Sequence, residues 1–177
     1  MSPLLLKQLN WFIKFIHRLN EFSGRVVAWL VLLMMSVIVY DVSMRAGFNI
    51  GSVVLQELQW HFFALIFLLG AGYTFRHDEH VRVDVFYQSH WMNDYRRAWI
   101  NLLGGLLLLL PFCLLIIGSS WHFVFDAYIH QEGSPDGGLP YRFLLKAAIP
   151  VGFIFLILQC IANILENLLY ILAYQKD

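Results

Sequence analysis

Four long stretches almost free of charged residues dominate this sequence, and they restrict the chain to folds that a membrane can surround. Each stretch can cross about 30 Å of hydrocarbon as a helix, which needs roughly 20 residues. Soluble domains keep about a quarter of their residues charged, whereas 14% of these 177 residues are charged and 59% are apolar. With a net charge of zero, the composition excludes an ordinary soluble domain, a disordered chain and a nucleic-acid-binding protein.

The stretches predict an all-α membrane protein, because backbone groups in lipid must pair within their own helix and four short segments cannot close a barrel. We place the transmembrane helices at about residues 24–45, 57–76, 98–122 and 147–170 of a single membrane domain, 1–177. Nine of the 12 Lys and Arg residues lie in the N-terminal tail, the middle loop and the C-terminus. Both termini are therefore predicted to be cytoplasmic.

Residues 4–22 predict a separate amphipathic helix before the first span. Its apolar stripe consists of Leu5, Leu9, Phe12, Ile16 and Leu19, with basic residues on the opposite face. Such a helix is expected to lie in the cytoplasmic headgroup plane, and packing on a partner subunit is the alternative. The predicted lipid or interface anchors are Trp11, Lys14, Arg18, Trp60, Trp99 and Trp121.

The sequence has none of the motifs of common catalytic sites, such as a P-loop, a dinucleotide-binding fingerprint, a nucleophile elbow or a zinc-protease helix. Cys113 and Cys160 stand alone in apolar stretches and predict buried hydrophobic residues. We therefore predict no enzyme activity, no catalytic or substrate-binding residue, no metal and no cofactor.

Two polar pairs lie near the outer ends of the first two spans. Glu57 and His61 are four residues apart and share a helix face, which favours a structural hydrogen bond or a helix-start role over a proton relay. Asp41 and Arg45 have the same spacing and predict an interfacial ion pair.

A polar stripe on the fourth span is better explained by a helix–helix or subunit contact than by an ion path, because lipid offers no partner for polar groups. It consists of Gln159, Asn163, Glu166, Asn167 and Tyr170. His61 and His122 raise another possibility, since two histidines at the outer ends of spans are candidate axial ligands of a b-type haem. His77 and His80 are more typical of a solvated turn than of a metal site.

The segment that follows the second span is the most distinctive part of the sequence. After the glycines of residues 70–72, Arg76 ends the span, and residues 80–84 (HVRVD) alternate polar and apolar side chains as in an extended backbone. This places Arg82 where it can bind lipid phosphate and Asp84 where it can cap a following helix.

This arrangement resembles the small permease subunit of tripartite ATP-independent periplasmic (TRAP) transporters, the DctQ-type family, over essentially the whole chain. The shared features are the N-terminal amphipathic segment, four spans, Glu57 at the start of the second span, its glycine-rich end and residues 80–84. The outer loop 133–140 and residues 149–153 similarly resemble the approach to the last helix of the family.

The resemblance implies the scaffold half of a sodium-coupled organic-acid importer in the bacterial inner membrane. A periplasmic binding protein delivers the substrate in such systems, and the large permease subunit holds the substrate and sodium sites. The implied partners are that large subunit, the binding protein and membrane lipids. The candidate structural or partner-contact residues are Glu57, His61, Arg76, His80, Arg82, Asp84, Gln159, Asn163 and Glu166. A haem b redox anchor that uses His61 and His122 and a small transporter that works alone are the alternatives.

Overall fold

The computed structural model describes residues 3–78 and 92–174 and folds them into four long helices. These are α1 (Pro3–Phe48), α2 (Val53–Arg76), α3 (Asp94–Ile129) and α4 (Phe143–Tyr174). All four are long and apolar enough to cross a membrane, and the described residues contain no strand. The predicted all-α class with four spanning helices is therefore confirmed.

Helix α4 is the centre of the bundle, because it packs against each of the other three helices. Helices α1 and α2 form an antiparallel pair, and α3 packs along α4. We name the end that holds the start of α1 and the end of α4 the terminal end. The opposite end, which holds the connections 49–52 and 130–142, is the hairpin end.

Helix α1 runs without interruption through the predicted boundary between a surface helix, 4–22, and the first span. Its 46 residues correspond to about 69 Å of helix, against about 30 Å of hydrocarbon. Contacts with α2 hold the junction: the Ser23 hydroxyl donates a hydrogen bond to the Leu69 carbonyl (2.7 Å), and the Tyr73 ring lies where a side chain on Gly24 would project. The structure therefore joins the two predicted elements into one helix.

The buried face of the N-terminal half of α1 differs from the predicted apolar stripe. Ile16, a member of the predicted stripe, and Ile13, which is not, are buried against Ala162 of α4, whereas the stripe residues Leu5 and Phe12 are exposed. The buried face also includes polar residues that form hydrogen bonds inside the bundle. A search for a stripe of apolar residues does not detect them. This half of α1 therefore packs on the chain's own α4 and leaves its opposite face uncovered.

A π-helical turn, Gly105–Leu109, interrupts α3 just before Pro111. Proline donates no N–H, and its ring crowds the carbonyl four residues earlier, so a helix widens or bends ahead of it. Gly105 lies against α4, where a Cβ atom would approach a side chain to 3.1 Å, and the Cys160 thiol donates a hydrogen bond to the Gly105 carbonyl (3.4 Å). Of the two neighbouring glycines, Gly105 therefore packs closely on α4, while Gly104 has open space beside it.

The helices extend beyond the predicted spans because of interactions that hydropathy does not register. Helix α2 begins earlier than predicted, since the Ser52 hydroxyl caps it by accepting a hydrogen bond from the Leu55 N–H (3.5 Å). Helix α3 ends in a Schellman-type turn in which Gln131 has a φ of 46° and the Glu132 N–H donates to the Ala127 carbonyl (3.0 Å). This turn starts the long connection to α4.

Candidate contact surfaces and the polar clusters that position them

Glu57 is buried at the hairpin end of α2 and holds the connection between α3 and α4, which we name loop 130–142. One carboxylate oxygen accepts a hydrogen bond from the Ser134 hydroxyl, and the other accepts one from the Leu139 backbone N–H (2.7 Å). His61 lies one turn further along α2, with its Nδ1 atom 2.7 Å from the Glu57 carbonyl oxygen. Both carboxylate oxygens of Glu57 are therefore engaged by the loop.

The base of loop 130–142 is closed by a second set of contacts. The Arg142 N–H donates to the Glu132 carbonyl (2.9 Å), and the Glu132 carboxylate pairs with the Lys146 ammonium (2.5 Å). That ammonium also lies 3.8 Å from the ring centroid of Phe123 on α3. The hydrogen bond from Lys146 and its nearby charge hold the pKa of Glu132 below the ordinary value, so this carboxylate is ionised at neutral pH. The loop is thus fastened to α2, α3 and α4 together.

A second buried carboxylate, Asp41, joins α1 to α2 near the hairpin end. It forms the predicted ion pair with Arg45 and accepts a hydrogen bond from the Gln59 side chain (3.3 Å). The spacing of the two residues predicts an ion pair at the interface with water. In the structure Asp41 is covered by α2, and only Arg45 is exposed.

The bundle interior contains a polar junction of α1, α2 and α4. The Asn20 side-chain amide donates to the Gln159 side-chain oxygen (3.0 Å), and both residues are almost completely buried. Close approach of the helices forms this junction, since a Cβ atom on Gly72 would lie 2.3 Å from the Asn20 oxygen and 3.3 Å from the Phe155 backbone. Gln159, from the predicted polar stripe, therefore faces another helix of the same chain.

Glycine also sets the separation of α2 and α4 further toward the hairpin end. A Cβ atom on Gly152 would lie 2.7 Å from the carbonyl oxygen of Leu68, which is a contact with helix backbone. Small residues at such crossings let membrane helices approach closely, which is a main source of their association in lipid.

At the terminal end, Arg76 fastens the last turn of α2 to α1. Its guanidinium donates to the His17 carbonyl (2.7 Å) and to the Glu21 carboxylate (2.5 Å), which His77 also approaches (3.3 Å). His17 in turn lies 3.6 Å from the Glu166 carboxylate of α4. Two predicted contact residues, Arg76 and Glu166, therefore belong to one network that links three helices.

The other predicted site residues are separate from these clusters. Asn163 accepts a hydrogen bond from the Asn167 side chain (2.6 Å) within α4. No contact joins His61 to His122 in residues 3–78 and 92–174, and His122 is exposed on α3. The same residues contain no group of three or more metal-ligating side chains. His80, Arg82 and Asp84 lie outside the described residues.

The outer surface of the bundle is formed largely by exposed apolar side chains. Helix α2 presents a line of Trp60, Phe63 and Phe67, each at least 64% exposed. Helix α1 presents a face that borders a shallow cavity of about 600 Å³. This face, which we name the serine face, consists of Leu32, Met35, Ser36, Val39, Tyr40 and Ser43. The predicted anchors, all exposed, are Trp11, Lys14, Arg18, Trp60, Trp99 and Trp121.

Comparison with known proteins identifies the family. The profile of the DctQ component of tripartite ATP-independent periplasmic transporters matches residues 34–169, which is more than half of the chain. This chain belongs to the DctQ family. A Haemophilus influenzae protein, provisionally named a TRAP transporter small permease protein, is 28% identical over 125 residues, which cover 70% of this chain and 74% of that protein. No solved structure matches the chain.

Membership of the DctQ family makes this chain a transporter component and not an enzyme. Family membership and the four apolar helices together make this chain a multi-pass protein of the inner membrane. The family match begins at residue 34, so the hairpin-end clusters and the polar residue Gln159 fall within it. The N-terminal half of α1 precedes the matched region.

Proposed function

We propose that this DctQ-family chain is the scaffold subunit of a sodium-coupled TRAP transporter that imports an organic acid. It packs against the large permease subunit, which holds the substrate and sodium sites, and a periplasmic binding protein delivers the substrate. The hairpin end faces the periplasm and the terminal end faces the cytoplasm, in keeping with the distribution of basic residues. Loop 130–142 is then the part of this chain nearest to the binding protein.

The use of the buried carboxylates supports a scaffold role and is the main observation behind this proposal. Asp41 and Glu57 are the buried acidic residues of the described helices. Asp41 pairs with Arg45, and Glu57 is occupied by loop 130–142. Ion-coupled transporters instead direct ionisable groups into a cavity near the membrane centre, often beside interrupted helices. Here the carboxylates fasten one element of the chain to another.

Co-expression with a candidate large subunit, followed by purification through a tag on this chain, tests the proposal. A large polytopic protein is expected to co-purify, and the reconstituted pair with its binding protein is expected to take up an organic acid along a sodium gradient. The chain alone is expected to move no solute in liposomes and to show no haem absorption. Uptake by the isolated chain, or a Soret band in the purified protein, would contradict the scaffold role.

We infer that the large subunit contacts the serine face of α1. The hydroxyls of Ser36 and Ser43 donate hydrogen bonds to carbonyls of their own helix (2.9 and 2.7 Å), so neither serine needs a further polar partner. Ser36 lies between the larger Leu32 and Val39, and Ser43 lies one turn beyond Val39. These small side chains border the shallow cavity, into which a neighbouring helix can fit. Helices in lipid associate through such small-residue surfaces, because close packing is the driving force there.

Replacing Ser36 or Ser43 with tryptophan is expected to weaken recovery of the large subunit, because the indole fills the cavity that the partner helix would occupy. A loss of about 1–2 kcal/mol in the contact corresponds to a roughly five- to thirtyfold weaker association. The measurement is the amount of large subunit that co-purifies with each tagged variant.

Leu107→Trp is the matched control, because Leu107 is 63% exposed on α3 and lies away from the serine face. This variant is expected to retain the large subunit at the wild-type level. If Ser36→Trp and Ser43→Trp also retain it fully, the contact lies on another surface.

A further inference from the structure

The N-terminal half of α1 presents a line of four basic side chains on the side that faces away from the bundle. This basic stripe consists of Lys7, Lys14, Arg18 and Arg25, all exposed. Steps of seven, four and seven residues return to nearly the same side of a helix, so the four residues lie within about 40° around its axis. The buried residues Ile13, Ile16 and Asn20 lie on the opposite side.

Aromatic side chains alternate with the basic residues on the same face. Trp11, Phe15 and Phe22 are 68%, 52% and 65% exposed, and the rings of Trp11 and Phe15 stack with centroids 5.9 Å apart. Amphipathic rings and cationic side chains occur together on surfaces that lie at the boundary between lipid headgroups and acyl chains.

No acidic side chain of the described residues pairs with the basic stripe. The nearest carboxylate along the helix, that of Glu21, is turned toward Arg76 and His77 of α2. The whole chain has a formal net charge of zero, so the stripe is a local excess of four positive charges. Such an excess attracts an anionic surface outside the chain.

The position and length of the stripe favour a row of lipid headgroups over a single small anion. From Lys7 to Arg25 the stripe extends about 27 Å along the helix axis. Its Arg25 end lies beside Gly24, which packs on Tyr73 in the last turns of α2. Because α1 is longer than the hydrocarbon is thick and α2 is a spanning helix, we expect most of the N-terminal half of α1 to lie at or beyond the membrane surface.

We propose that the basic stripe is a binding surface for anionic phospholipid headgroups. This requires the axis of the N-terminal half of α1 to incline toward the membrane plane, so that the phosphates pair with Lys and Arg while the rings of Trp11, Phe15 and Phe22 reach the boundary between headgroups and acyl chains. The opposite face remains packed on α4, so α1 is held between protein and lipid. This inference is independent of the proposed scaffold function, because it depends only on the surface of this chain.

Brominated lipids test this proposal with the wild-type chain in nanodiscs of phosphatidylcholine that contain a minor fraction of phosphatidylglycerol. One sample contains brominated phosphatidylcholine and the other contains brominated phosphatidylglycerol. The fluorescence of Trp11 is obtained by subtracting the fluorescence of Trp11→Phe from that of the wild type. At equal mole fraction, brominated phosphatidylglycerol is expected to quench Trp11 about threefold more than brominated phosphatidylcholine, and high salt is expected to remove the difference. Equal quenching by the two lipids at low salt would overturn the proposal.

Two charge variants supply the matched pair. K7Q/K14Q/R18Q/R25Q is expected to lose the preference for phosphatidylglycerol, whereas K7R/K14R/R18K/R25K, which keeps every charge, is expected to retain it. All four side chains are exposed, so both variants are expected to keep the wild-type thermal midpoint. A preference that survives in the glutamine variant would overturn the proposal. So would a Trp11 that neither lipid quenches in the complex with the large subunit, since a polypeptide would then cover the stripe.

Discussion

Replacing Gly152 with leucine is expected to force α2 and α4 apart and to lower the free energy of unfolding by roughly 3 kcal/mol. The first added atom would already lie 2.7 Å from the Leu68 carbonyl oxygen and 2.9 Å from the carbonyl carbon. These atoms belong to helix backbone, so the clash cannot be relieved by turning a side chain. The measurement is the unfolding midpoint of the purified chain in mild detergent.

Gly104→Leu is the control, because no atom lies within 4 Å of a Cβ atom at that position. Leucine is a better helix former than glycine by somewhat less than about 1 kcal/mol, so this variant is expected to unfold at or slightly above the wild-type midpoint. Equal midpoints for the two leucine variants would show that α2 and α4 are not in close backbone contact.

Replacing Glu57 with alanine is expected to release loop 130–142 from α2. The change removes the acceptor for the Ser134 hydroxyl and for the Leu139 N–H, and hydrogen bonds to a charged acceptor contribute about 1.5–3 kcal/mol each. We expect a loss of roughly 3 kcal/mol in unfolding free energy, together with faster amide hydrogen exchange at residues 133–140. Glu57→Gln is expected to be milder, since its amide can still accept one hydrogen bond and donate another.

Glu132→Ala is the matched control for this prediction, because it removes a carboxylate from the same loop. Glu132 is partly exposed, and surface ion pairs contribute about 0–1 kcal/mol, so only a small loss is expected. Unchanged exchange in Glu57→Ala would contradict the anchoring role. Normal assembly of Glu57→Gln with the large subunit, but uptake that no longer depends on sodium, would reassign Glu57 to coupling.

The four spans were predictable because hydrocarbon thickness sets the length of an uncharged stretch directly. The continuity of α1 could not be predicted, since a surface helix and an extension of a span have the same amphipathic pattern. The contact of Gly24 with Tyr73, which are far apart in sequence, decides between them. Helix ends were missed for a related reason, because the cap at Ser52 depends on hydrogen bonding and not on hydropathy.

Among the polar clusters, the spacing rule found pairs within one helix but not partners on other elements. It predicted Asp41 with Arg45 and placed Glu57 beside His61. It could not find Ser134, which is 77 residues away from Glu57. Asn20 was detectable in principle, because it continues the helical spacing of the buried Ile13 and Ile16. The hydrogen bond between Asn20 and Gln159 could not be predicted from the sequence, because it depends on how α1 and α4 cross.

The order of synthesis has a consequence for how this bundle matures. The helix on which the other three pack, α4, follows them in the chain and so leaves the ribosome after them. The first hairpin can form early, but the Asn20 side chain lacks its acceptor, the Gln159 side-chain oxygen, until α4 has been synthesised. Until α4 packs, this side chain therefore has no partner on another helix, and pairing it favours the docking of α4 on the hairpin. Packing of α4 is thus the step that completes maturation of the bundle.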